Sequence, residues 1–207
     1  MCGICGMVAL KGQRPDENTL ARMVRVLDHR GPDDSGYMID GPCGLGNTRL
    51  AVIDPSPSGH QPMRVSHTPT NVPSRSGEPV PPSEAWIVYN GEVYNFNEVR
   101  AVLSAMRHHF TSHTDTETLL RSYIQFGASN FIKPYRGMFA LAIWDVTNQR
   151  LLLVRDRLGE KPLYYTFTDE WMVFGSEIKA ILEHPDVPRR FNADVLPHYL
   201  TYGYPPS

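Results

Sequence analysis

Two apolar runs, 138–144 and 151–154, are separated only by the polar stretch 145–150. A join that short makes antiparallel neighbours of the two runs and leaves no room for the crossover that a parallel pair needs. A second pair, 163–167 and 171–174, repeats the pattern. The C-terminal half of the chain is thereby committed to antiparallel sheet, and other segments must cover it. Further strands are expected at 4–10, 45–53 and 85–89. Leu20, Met23, Val24 and Leu27 fall on one helical face, stopped by Gly31-Pro32. Phe96, Val99, Leu103 and Met106 mark a second helix. Thr114-Asp115-Thr116-Glu117 has capping-box spacing and opens a third, with Leu119, Leu120, Tyr123 and Ile124 inward. Ser176 is placed to cap a short helix through Leu182, and 193–200 is weakly helical. Residues 31–36 read as turn chemistry. Hairpins with intervening helices predict an α+β domain of antiparallel sheets covered by helices.

Composition shifts at 55–84, where Pro and Ser dominate, and the stretch 66–84 holds no aromatic residue. Such a segment buries little and reads as a long surface loop or insertion, 66–84. The formal net charge of -2 comes with no basic stripe, which argues against nucleic acid as a partner. No apolar run reaches the roughly 18 residues of a membrane span. The start of the chain has neither a charged region nor the apolar core of a signal peptide, so a cytoplasmic location is expected. Cysteines stand only at 2, 5 and 43, too few and too odd for a disulfide framework.

Cys2 follows the initiator Met1. Removal of Met1, which a small second residue permits, gives Cys2 a free α-amine beside its own thiol. Reference pKa values of about 7.7–8.0 for the amine and about 8.5 for the thiol let the amine take the thiol proton near neutrality. Nucleophile and base then belong to one residue. Cys2 and Cys5 also form a C-x-x-C, so a redox pair or half of a zinc site is an alternative. Neither a second C-x-x-C nor an H-x₃₋₅-H accompanies it, and no metal site is expected. Cys5 and Cys43 read as small buried apolar groups.

Met1-Cys2-Gly3-Ile4-Cys5-Gly6 and His29-Arg30-Gly31-Pro32-Asp33 resemble class II glutamine amidotransferases. So do Arg49-Leu50, Tyr89-Asn90-Gly91-Glu92 with Asn95, and Asp115-Thr116-Glu117. Arg136-Gly137-Met138-Phe139-Ala140, Arg155-Asp156-Arg157-Leu158-Gly159, Lys161-Pro162-Leu163-Tyr164-Tyr165 and Phe174-Gly175-Ser176-Glu177 continue the likeness in family order. Within the class, the match is best to the glutaminase domain of glutamine-dependent asparagine synthetases. The resemblance implies an N-terminal-nucleophile hydrolase fold, a four-layer αββα sandwich with two mainly antiparallel sheets. It implies one domain over 1–207, with the start of a linker near 200–207.

The resemblance also implies roles. Cys2 attacks the side-chain amide of glutamine and carries a thioester. Asn90 and Gly91 stabilise the oxyanion, the first through its side-chain amide and the second through its backbone N–H. Arg49 offers a planar, bidentate cation to the substrate carboxylate. Asp115 and Glu92 take the ammonium, with the backbone of Leu50, Ala51, Val52 and Ile53 helping. From the residues alone, Asp115 could equally be a helix cap, Glu92 a surface charge and Asn90-Gly91 a hairpin turn. The block from Arg155 to Tyr165 is expected either as a solvated loop or as an interface to a partner domain. Asn47 departs from the family, standing where His is common, and Thr114 replaces a frequent Ser.

Relatives continue into an ATP-using synthetase domain with a Ser-Gly-Gly-x-Asp-Ser loop, which this sequence lacks. No cofactor is therefore expected in this domain, with ATP and Mg confined to the absent one. The expected partners are L-glutamine, a C-terminal synthetase domain or separate subunit that receives ammonia, and a second copy in the full-length protein. A degenerate scaffold domain and a glutaminase serving another acceptor are the alternatives.

Overall fold

The computed structural model describes residues 1–66 and 83–203. The expected insertion therefore lies almost entirely outside the described residues, as does the last part of the expected linker. Nine described strands form two sheets. The first contains β1 (Gly3–Ala9), β2 (Asp34–Asp40), β3 (Cys43–Arg49), β8 (Tyr164–Phe167) and β9 (Trp171–Gly175), in the order β2-β3-β1-β9-β8. The second contains β4 (Met63–Ser66), β5 (Glu84–Val93), β6 (Gly137–Asp145) and β7 (Arg150–Arg155), in that order. All pairings within the sheets are antiparallel.

Three apolar clusters define the layers. Ile4, Leu45 and Phe174 of the first sheet pack against Val88, Ala142 and Trp144 of the second, so the sheets face each other. The outer face of the first sheet is covered by α1 (Glu17–Arg25) and the short α4 (Ile178–Ile181), through Leu20, Met23, Ala180 and Ile181. The outer face of the second is covered by α2 (Phe96–Ala105) and α3 (Asp115–Phe126), through Leu103, Leu119, Leu120 and Tyr123. The stack is helix, sheet, sheet, helix, as the resemblance implies. A last helix, α5 (Leu196–Tyr202), buries no residue.

Both hairpins form where short joins demand them, as do the helices read from periodicity. The Thr114 hydroxyl caps α3 by accepting from the Glu117 N–H at 3.2 Å. Glu117 does not complete the box; it accepts from the N–H groups of Thr111 and Ser112 and pairs with Arg121.

Four expectations are corrected. The strand expected over 45–53 stops at Arg49, because the backbone turns away and Asp54 takes a positive φ of 54°. The turn chemistry at 31–36 runs into β2, an edge strand whose sequence, Asp-Ser-Gly-Tyr-Met-Ile-Asp, carries no apolar alternation. Ser176 caps no helix; its hydroxyl accepts from the Ile4 N–H at 3.0 Å and ties β9 to β1, while Glu177 precedes α4. Met106 lies at the exposed end of α2 and not in the core.

Candidate active site

Cys2 stands half-buried immediately before β1 and lines a cavity. Its neighbours hold the backbone from two sides. Arg30 Nε donates to the Cys2 carbonyl at 2.9 Å, and Asn47 Nδ2 donates to the Gly3 carbonyl at 3.2 Å. The departure at 47 thus leaves an amide that braces the residue after Cys2. The Cys2 sulfur accepts from the Leu50 N–H at 3.4 Å and lies 3.7 Å from the Leu50 carbonyl.

Arg30 is fixed by Glu177, which it meets at 2.8 Å; His29 and Lys179 reach the same carboxylate at 2.9 and 3.0 Å. Burial works against the Glu177 charge, but Arg30, Lys179 and His29 outweigh it and lower its pKa from 4.5 to about 2. The unfolded chain has no such partners, so this charge stabilises the fold above pH 4.5 and the contribution fades as pH falls toward 2. Glu177→Gln is accordingly expected to lower Tm by about 2–6 °C at neutral pH, with the difference from wild type vanishing in strong acid. Thermal melts across that pH range check this.

Arg49, at the end of β3, is 5% exposed. Its Nη1 donates to the Ser56 carbonyl at 3.1 Å and its Nη2 to the Asp54 carbonyl, which leaves further guanidinium donors for a ligand. The 54–60 turn that supplies these carbonyls is itself tied down. The Asp54 carboxylate accepts from the hydroxyls of Ser56 and Ser58 and from the His113 N–H, and these bonds, Ser56 first, hold its pKa well below the ordinary carboxylate range. Gly59 lies flat on the guanidinium; a Cβ there would come within 2.0 Å of Arg49 Nη2.

Across the cavity, β5 presents Asn90 and Gly91. Asn90 is 1% exposed, and its Nδ2 finds no hydrogen-bond partner among the described residues. A buried amide donor without a partner is costly, and in a native site it calls for a reason. Gly91 allows the close approach of β6, where a Cβ would meet the Met138 carbonyl at 2.3 Å. The Asn-Gly pair sits within β5, opposite Ala140 and Phe139, and forms no hairpin turn.

Asp115 opens α3 but is not its cap. Its Oδ2 accepts from the Tyr89 hydroxyl at 2.7 Å and the Val93 N–H at 3.1 Å. Burial raises the Asp115 pKa in spite of these bonds, so a cation beside it would favour its charged form. Gln61, buried, is a brace that sequence reasoning missed: its Oε1 accepts from the Tyr89 N–H at 2.7 Å.

One cavity brings together Cys2, Arg49, Asn90, Gly91, Glu92 and Asp115. Leu50, Val52 and Ile53 also line it. Ala51 is not on its wall; its N–H turns to Asp33 Oδ2 at 2.9 Å. Met1, Gln61, Thr116, Met138 and Lys161 line it as well and were not anticipated. Gln61 lies in a Pro- and Ser-rich stretch without periodicity, so no local signal marks it. Lys161 arrives through the Arg155–Lys161 turn. There Asp156 accepts from the N–H groups of Phe139, Leu158, Glu160 and Lys161, bonds that outweigh burial and lower its pKa. Arg155 donates to the Lys161 and Gly159 carbonyls and Arg157 to the Tyr135 carbonyl. The charges of this block thus fold a tight turn and do not simply solvate a loop. Cys5 and Cys43 are fully buried, with burial pushing both thiols well up, so neither resembles a reactive thiolate.

Among the described residues no helix is long and apolar enough to cross a membrane. Residues 1–207 match the family profile of the glutamine amidotransferase domain. The chain is 41% identical over 191 residues to "Asparagine synthetase [glutamine-hydrolyzing] 3" of Bacillus subtilis, covering 92% of this chain and 29% of that protein. It is 34% identical over 194 residues to "Amidase chry2" of Gibberella zeae, covering 88% of this chain and 26% of that protein. The chain therefore spans about a quarter to a third of these relatives. The glutamine phosphoribosylpyrophosphate amidotransferase of B. subtilis shares the N-terminal-nucleophile hydrolase fold, with a TM-score of 0.68 at 18% identity over 87% of this chain and 43% of that one. Family profile, relatives and fold agree, and the chain belongs to the glutamine amidotransferase domain family.

Proposed function

We propose that this chain hydrolyses L-glutamine to L-glutamate and ammonia through a thioester on Cys2. The observation that carries this reading is the buried Nδ2 of Asn90, left without a partner on the wall of the cavity that Cys2 enters. A donor held ready in that way suits an oxyanion that exists only during reaction.

With Met1 removed, the Cys2 α-amine takes the thiol proton, and the sulfur attacks the amide carbon. Asn90 Nδ2 and the Gly91 N–H receive the oxyanion. Collapse of the intermediate breaks the C–N bond, and the protonated amine returns its proton to the departing nitrogen as ammonia leaves. Water, its proton taken by the Cys2 amine, then attacks the thioester; the sulfur departs and takes that proton back from the amine, and glutamate is released. Arg49 holds the substrate carboxylate, while Asp115 and Glu92 hold its ammonium, assisted by the backbone at Leu50, Val52 and Ile53. Purified chain given glutamine should release glutamate and ammonia in equal amounts. Absence of both would overturn the reading.

Binding and chemistry are separable here. Gly59→Ala pushes Arg49 away from the carboxylate position without touching Cys2 or Asn90. KM for glutamine should rise about tenfold with kcat little changed, the signature of lost uniform binding. Steady-state kinetics check it.

The ammonia goes to an asparagine synthetase-type domain or subunit, a reading that the relatives named as glutamine-hydrolysing asparagine synthetases support; ATP and Mg at that domain and a cytoplasmic location belong to the same proposal. The likeness to a protein named an amidase supports a second reading, in which the same glutaminase serves another acceptor.

A further inference from the structure

Lys161 is 7% exposed, and its backbone is fastened on both sides: the N–H to Asp156 Oδ2 at 2.9 Å and the carbonyl to Arg155 Nε at 2.7 Å. Among the described residues its ammonium faces no carboxylate within ion-pair distance. It donates to the Met1 thioether, Nζ to Sδ 3.3 Å. A thioether is a weak acceptor and a poor match for a buried cation. Met1, Cys2 and Lys161 line the same cavity.

The other cations near Cys2 are each held in place by other groups. Arg30 holds the Cys2 carbonyl and is neutralised by Glu177, which His29 and Lys179 share. Arg49 is turned to the Asp54 and Ser56 carbonyls. Glu92 from β5 and Asp115 from α3 are carboxylates, and Asp115 is bonded to the Tyr89 phenol. Those carboxylates alone would favour a protonated amine on Cys2 and disfavour a thiolate.

We propose that Lys161 is the positioning residue that opposes them, covered by Met1 until Met1 is removed. This rests on the N-terminal chemistry proposed above. Loss of Met1 takes away the thioether and gives Cys2 its amine in the same step, so the ammonium then faces the amine and the sulfur. A fixed positive charge there drives the extra proton of the amine to bulk water and favours the thiolate. Cys2 thus reaches its reactive state at lower pH than it would without Lys161. The tight turn built by Arg155 and Asp156 is what delivers that charge.

The test is the pH dependence of Cys2 alkylation by iodoacetamide, read by peptide mass on chains confirmed to lack Met1. Buried Cys5 and Cys43 serve as internal controls. Lys161→Met keeps an unbranched apolar stem and removes the charge. Its alkylation at pH 7 should be about tenfold slower than wild type, with the whole profile moved to alkaline pH. Lys161→Arg should restore most of the rate. If Lys161→Met melts early, Lys161→Gln carries the same expectation. A neutral variant that folds and superimposes on the wild-type profile overturns the role. Alkylation needs no glutamine, so the two proposals can fail separately. An unmoved profile in a working glutaminase removes Lys161 alone; a moved profile without turnover removes the glutaminase reading and leaves Lys161 standing.

Discussion

Cys2→Ser is expected to lower glutamine turnover by at least about 10³-fold while leaving thermal stability close to wild type. The hydroxyl fits where the sulfur sits, and among the described residues the half-buried Cys2 sulfur makes only two long hydrogen-bond contacts, both to Leu50. Little packing is lost. What is lost is the nucleophile, since a hydroxyl gives up its proton far less readily than a thiol to an amine of neutral pKa. Cys2→Ala should be lower still. Parallel changes at Cys5 or Cys43 would act on stability through the core and not on chemistry, because both are enclosed between strands and neighbouring side chains. Glutaminase assays alongside thermal melts separate these outcomes; near-wild-type turnover by Cys2→Ala would exclude the thioester.

Asn90→Ala is expected to lower kcat by about 10²–10³-fold with a smaller change in KM. The buried Nδ2 makes no hydrogen bond among the described residues, so its removal breaks no hydrogen bond that the described fold uses. The resting protein even sheds an unsatisfied donor. A large kinetic loss without a matching loss of stability is the mark of a group whose partner appears only in the transition state. Asn90→Asp should be at least as slow, since a carboxylate would face the oxyanion with like charge. A rise in KM alone, with kcat retained, would instead make Asn90 a substrate clamp.

The hairpin at β6–β7 was legible because a short polar join admits one topology. The three longer helices were legible because Leu20, Leu103 and Tyr123 keep helical spacing with their neighbours and all three end up buried. Strand β2 was not, since it is an edge whose sequence carries no apolar alternation, and β4 was not, since the alternation of Met63 and Val65 spans only four residues of an edge beside a Pro- and Ser-rich stretch. At the site, the residues on family motifs converge, apart from Ala51. Gln61 and Lys161 escaped because their roles arise from pairing distant segments: Gln61 meets Tyr89 only when β5 passes it, and Lys161 meets Met1 across the length of the chain. The likeness in Arg155–Tyr165 was visible, but its physics was not. Asp156 gathers four backbone N–H groups only once the turn has closed.

The most direct measurement is the intact mass of the expressed chain, taken before glutamine and after an acid quench during turnover. The expected result is a resting mass lacking Met1 and a quenched species carrying one glutamyl group, mapped by peptide mass to Cys2. Turnover by a chain that still bears Met1, or a glutamyl group on any other residue, would contradict the proposed chemistry.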